Sequence, residues 1–425
     1  MKRITALFLT LAALLTTACG GGKLTAAPET EETVSLTETA AGEQKDTRQV
    51  PVPMKDAPDY SFDHEPTVDE MRQTAIRAMH DIVSVQWFPE VTIRYNKKGS
   101  VSNKDFEVLA NKYYMGVPYT SAGTGLFQFL AYYDKETGCL HYTDQASFNE
   151  VIGTSCAGAV GWGLLSVCSS ITGENVSNFL TISNGYLPLG DVTYDPAITD
   201  FSAYYTKQIV QDNGTDKVLA GYAAVQPGDV LVYGDDSEGR GHTRMAIAAA
   251  NVVKKADGSI DPDQSTITTQ EQAAEDIVDE SAGVPMIRCG QVSKSYTFTQ
   301  FLQQGYIAVT TAEFLGQKPY EKCQVTFEGD SSTLEGLAAG TLHCNYPMAV
   351  MRVILRTDKG EEVLKTQLFN RRMIGDGTAR DYQVLGTGTN FTKDRRIPKT
   401  GSYSVALEVT ASTGEVFTPA VTVVE

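Results

Sequence analysis

Five histidines and seven cysteines stand in the 425 residues, and few combinations of them could act together. A thiol is a nucleophile only as thiolate, and the start of a helix favours that form through its macrodipole and unpaired backbone N–H groups. Cys156 occupies such a start. Thr154 or Ser155 can cap a helix there, and an almost uncharged run from Ala157 to Cys168 reads as its buried body. Gly158, Gly161 and Gly163 lower its helix propensity and point to close packing. The same N–H groups could hold an oxyanion formed when the thiolate attacks a carbonyl. Cys168 falls at the other end of the helix, where the dipole disfavours an anion.

A base must accompany the thiol. His64 lies in a polar N-terminal stretch, His80 on a predicted helix and His141 beside Cys139. His343 and Cys344 are neighbours in a predicted strand, so their side chains point to opposite faces. His242 follows Gly241 and begins an apolar strand, a rigid place for a base. No CxxC pair and no Cys–His spacing reads as a zinc site, and neither metal nor cofactor is expected.

Four segments in order carry a resemblance: Gly116-Val117-Pro118-Tyr119, Ser155-Cys156-Ala157-Gly158-Ala159-Val160, Gln226-Pro227-Gly228-Asp229-Val230-Leu231 and Gly241-His242-Thr243. Together they resemble the NlpC-type cysteine peptidases and the related CHAP amidases over about residues 103–311. The resemblance implies a papain-like fold in which Cys156 attacks an amide and His242 activates it. It further implies a third polar group that orients the ring. The CHAP-like strand Thr266 to Gln272 suggests Glu271, with Gln270 and Gln272 on the opposite face. Tyr119 would donate a hydrogen bond to the thiolate. Peptidoglycan stem peptides or other peptides are the implied substrates. Ser155 stands where the family usually has Asp, Ala157 replaces a common Ser, and Thr243-Arg244 fills positions the family prefers apolar. A binding protein of the same fold without activity, and transglutaminase-like acyl transfer, are the alternatives.

Around this constellation the chain divides into four parts. Met1-Lys2-Arg3, the apolar run Ile4 to Leu15 and Thr16-Thr17-Ala18-Cys19-Gly20 have the layout of a secretory signal. The end of that run resembles a lipobox, which implies cleavage before Cys19, lipid on its thiol and an extracytoplasmic, membrane-anchored protein. Residues 20–65 are rich in Thr, Glu, Ala and Pro and read as a disordered acidic tether. Residues 66–318 should form the α+β hydrolase unit, helices packed on an antiparallel sheet. Within it Thr67 to Glu70 fits a capping box, a second helix is expected near Asn103 to Tyr114, and strands are expected at Val230 to Tyr233, His242 to Val253 and Ser265 to Glu271. Residues 319–425 alternate like an all-β, immunoglobulin-like sandwich, for which a carbohydrate or protein partner is conceivable. A net charge of −17 argues against a nucleic-acid partner.

Overall fold

A computed structural model describes residues 52–96, 105–120, 122–142, 151–171, 185–195, 206–235, 240–279, 285–368, 380–384, 391–393, 397 and 401–424. The expected signal peptide, Cys19 and most of the tether lie outside these residues.

The first helix begins where the capping box predicts. Thr67 accepts a bond from Glu70 N, and Glu70 Oε2 accepts one from Thr67 N at 2.7 Å, so two orphan amides are satisfied reciprocally. Helix α1, Val68–Ser84, then buries Met71, Ala75, Met79, Ile82 and Val83 on one stripe. In chain order there follow β1 Gln86–Pro89, β2 Ile93–Asn96, β3 Asp105–Val108, β4 Tyr113–Met115, α2 Leu126–Leu130, β5 Cys139–Leu140 and α3 Cys156–Leu165. Next come β6 Tyr186–Pro188, α4 Thr206–Asn213, α5 Thr215–Ala223, β7 Val230–Asp235, β8 Arg240–Ala246, β9 Thr266–Asp279, β10 Met286–Thr297, α6 Phe298–Gln304 and β11 Ile307–Thr311. Nine of the strands make one sheet in the order β5-β1-β4-β10-β9-β8-β7-β11-β6. It is antiparallel except that β4 runs parallel to β10 and β1 to β5. The architecture is α+β.

Helix α3 is wedged between α1 and the sheet, and Gly163 is the reason it fits. A Cβ there would stand 2.9 Å from Met79 Cβ on α1 and 3.1 Å from Met245 Cε on β8. The other face of the sheet is covered by aromatic rings: Tyr222 of α5 packs against Phe298 of α6 at 5.6 Å, and Phe301 against Tyr306 at 5.1 Å.

The turn Gln226-Pro227-Gly228-Asp229 is fixed by a buried charge. Asp229 is fully buried and receives Arg72 Nη1 at 2.8 Å, Thr310 Oγ1 at 2.6 Å and Gln226 N at 2.8 Å. Burial pushes its carboxyl above the ordinary value, against the pull of Arg72. Arg72 also donates to Pro227 O and Phe314 O. Helix α1 is thereby tied to β7 and β11.

The rest of the chain forms β12 Val325–Glu328, α7 Leu334–Ala339, β13 Thr341–Cys344, β14 Met348–Thr357, β15 Glu362–Leu368, β16 Asp381–Gln383, β17 Tyr403–Ala411 and β18 Val416–Val424. Two antiparallel sheets, β12-β13-β16 and β15-β14-β17-β18, share a second core around Leu342, Tyr346, Val353, Tyr382 and Leu407. This part also closes the far end of α3. Ser412 Oγ donates to Leu165 O at 2.6 Å, Tyr346 Oη to Val167 O at 3.3 Å, and Arg380 Nη2 to Ile171 O at 2.8 Å. Carbonyls at and just beyond a helix end that would otherwise need water are thus satisfied from the second core.

Several expectations are corrected. The second helix at 103–114 is instead the strands β3 and β4, because Asp105-Phe106-Glu107-Val108 alternates with period two and pairs with β2. The strand from His242 ends at Ala246. Its continuation is Ala-rich, which favours strands weakly, and Ala250 N turns back to bond Val225 O. Strand β9 runs on past Glu271 to Asp279. The tether ends before residue 65: Tyr60 is 2 % exposed, donates to Asp81 Oδ2 at 2.8 Å and bonds Thr413 O through its N–H. The second unit is not purely β, since Thr333 caps the short helix α7 by accepting from Gly336 N.

Candidate active site

Cys156 is the first residue of α3, and its 6 % exposure leaves only an edge open. Ser155 is the cap, accepting from Gly158 N at 3.3 Å. The approach to the helix is held by Gly153, at φ +151°, where a Cβ would stand 2.2 Å from Pro118 O. That close contact lets Thr154 bridge to Tyr119, and Tyr119 Oη then donates to Cys156 Sγ at 3.9 Å. Tyr119 and Cys156 therefore meet as the resemblance implies. Cys168 differs sharply. It is fully buried against Thr311, and burial, then Glu313, push its thiol well above the ordinary value.

His242 is set apart from the other histidines by its surroundings. Its side chain is 12 % exposed, whereas His64, His80, His141 and His343 are 37–54 % exposed. Nε2 of His242 is hydrogen bonded to Glu271 Oε2. An ionised carboxylate can only accept, so Nε2 carries the proton and the acceptor lone pair of the neutral ring lies on Nδ1. Glu271 is itself clamped: Arg244 Nε donates to Oε2 at 2.7 Å and Tyr296 Oη to Oε1 at 2.7 Å. Burial works to raise the Glu271 pKa, but the hydrogen bonds and charges of His242 and Arg244 outweigh it and hold the carboxyl far below its ordinary 4.5. Arg244 in turn lies 4.1 Å from the Tyr296 ring centroid and 5.1 Å from that of Tyr306.

The two pairs are arranged about strand β8. His242 lies opposite Tyr233 and Arg244 opposite Leu231. Residues two apart share a face, so His242, Arg244 and Glu271 project to one side and Thr243 and Met245 to the other. Gln270 and Gln272 point to that second side, where they donate to Ile76 O and Val117 O. Since Met245 touches α3, the body of that helix stands on the Thr243–Met245 side. Tyr306 packs beside the clamp, its ring centroid 4.9 Å from that of Tyr233 and 5.1 Å from the Arg244 guanidinium. Burial holds its hydroxyl well above the ordinary tyrosine range, against the pull of the Arg244 charge.

Sequence pattern alone does not bring Arg244, Tyr296 and Tyr306 into the cluster. The available signal was a charge inside the strand Thr243-Arg244-Met245-Ala246, which demands a buried partner, with Glu271 available on the next predicted strand.

Glu271→Gln tests the clamp. The change leaves Arg244 with a neutral partner and should cost about 1–3 kcal/mol at neutral pH. A carboxyl depressed on folding stabilises fully above its unfolded value near 4.5 and loses that contribution as pH falls toward the folded value. The gap between wild type and Glu271→Gln should therefore close on acidification below about pH 4.5, measured by denaturant midpoints; a gap independent of pH contradicts the clamp.

Among the described residues no group of three or more His, Cys, Asp or Glu could hold a metal ion. Comparison with protein-family models, curated proteins and solved structures finds no match to this chain.

Proposed function

We propose that this chain is an exported cysteine hydrolase of NlpC-like, papain-like type that cleaves amide bonds, with peptidoglycan stem peptides as the first substrate class and other peptides as the second. The observations that carry the reading are a capped helix-start thiol with a tyrosine hydroxyl upon it and, on β8, a half-buried histidine whose Nε2 is held by a carboxylate. In the proposed reaction the Cys156 proton passes to Nδ1 of His242 and the thiolate adds to the amide carbon. First-turn N–H groups of α3 and Tyr119 stabilise the negative charge. The imidazolium gives its proton to the leaving amine, and a thioester remains. Water, deprotonated by His242, then adds to the thioester and frees the acid and the thiol. Glu271 orients the ring and stabilises its charged form, as Arg244 and Tyr296 orient Glu271.

Turnover of purified muropeptides, followed by a broad peptide library, tests this. Cleavage that depends on Cys156 supports it, and no cleavage of either by wild type goes against it. A second reading, a binding protein of the same fold without activity, is favoured by one observation: Oε2 of Glu271 is shared between His242 and Arg244, on the side of β8 away from the body of α3.

The placement follows from Cys19. The mature chain is proposed to begin there and to be held at the membrane by lipid on its thiol, with the two C-terminal sheets, read as an immunoglobulin-like sandwich, contacting a carbohydrate or protein. Wild type should partition with membranes and Cys19→Ala should not, because one diacylglyceryl-type group supplies two chains. Cys19→Ala protein found still in the membrane fraction contradicts the anchor.

A further inference from the structure

Two thiols that take no part in the proposed reaction face each other at the junction of the two cores. Cys323 Sγ lies 3.9 Å from Cys344 Sγ, across 21 residues of chain. Their side chains are held rather than wandering. Cys323 is 2 % and Cys344 5 % exposed, and Tyr346 N donates to Cys344 Sγ at 3.4 Å. The backbones that carry them are clamped by Asn345, whose Oδ1 accepts from Gln324 N at 2.8 Å and whose Nδ2 donates to Lys322 O at 2.9 Å. A disulfide needs the sulfurs to close by about 2 Å, which side-chain rotation supplies when the backbones already stand side by side.

The position matters. Tyr320 packs in the first core and Cys323 in the second, so the segment between them is the link between the two cores. Tyr346 Oη reaches back to Glu321 O at 2.8 Å and to Val167 O beyond the end of α3. A covalent bond here would fasten that link to β13.

We infer that Cys323 and Cys344 are a disulfide-forming pair that locks the junction between the cores. The oxidant is a low-molecular-weight or protein disulfide. One thiolate attacks it and releases the first reduced thiol; the other attacks the resulting mixed disulfide and releases the second. Two electrons and two protons thus leave the pair for the oxidant. Because both sulfurs are buried, the exchange takes place in the opened or folding chain.

The test refolds the full chain with reduced and oxidised glutathione. The expected product has lost two hydrogen masses, yields a reductant-sensitive link between the peptides holding Cys323 and Cys344, and melts roughly 5–10 °C above the reduced protein. Cys323→Ser and Cys344→Ser should each lack the link and the shift, and Cys156→Ala should retain both. Recovery of both thiols free to alkylation, or only as glutathione adducts, would overturn the inference. Neither result bears on the hydrolase reading, which rests on other residues.

Discussion

Cys156→Ala should lose at least about 10⁴-fold in amide hydrolysis while melting close to wild type. On the proposed mechanism the change removes the sulfur that forms the thioester, and it removes little else: one buried sulfur in contact with Tyr119 Oη. The Ser155 cap and the close approach of Gly153 to Pro118 remain. A merely structural thiol would behave otherwise, as Cys168 should: it is wholly buried, so Cys168→Ala should cost stability and spare turnover. Kinetics on the responding substrate, with melting curves for both variants, separate the two roles. Full turnover in Cys156→Ala refutes the mechanism whatever the substrate.

Arg72→Ala should destabilise the protein by about 3–5 kcal/mol, because it strips the counter-charge from a carboxylate that has no access to water. Asp229 would keep Thr310 and Gln226 as donors but lose its cation, and the carbonyls of Pro227 and Phe314 would lose theirs. The double variant Arg72→Met with Asp229→Leu should recover much of the loss, since burying two apolar side chains of similar size avoids the desolvation that the ion pair must offset. Chemical denaturation of the single and double variants checks this, and a loss below about 1 kcal/mol for Arg72→Ala would mean that the pair is not what ties α1 to the sheet.

How far the sequence was readable depended on whether the signal was local. The capping box at Thr67 and Glu70, and the uncharged run behind Cys156, are short-range patterns, and both helices begin where those patterns place them. Opposite faces for Gln270 and Glu271 follow from strand alternation alone, and their partners confirm it. The failures were of another kind. Asp105 to Val108 is too short for its period to be told from a helical one without its partner β2. Tyr60 stands in a polar stretch, and its ordering partners, Asp81, Thr413, Arg77 and Phe127, come from other elements of the chain. Arg244 looked like a departure from an apolar strand until Glu271, Tyr296 and Tyr306 surrounded it. A contact across dozens of residues leaves no trace in local composition.

Whether Cys156 is an activated thiol can be read without a substrate, from the rate at which an iodoacetamide-type probe labels it over pH in wild type, Cys156→Ala and His242→Ala. Wild type should be labelled at one site well below pH 8.5, the range where an ordinary thiol ionises. Labelling should vanish in Cys156→Ala, and in His242→Ala it should slow and shift to higher pH. Labelling of wild type no faster than that of a free thiol, or a profile unchanged by His242→Ala, would contradict the mechanism.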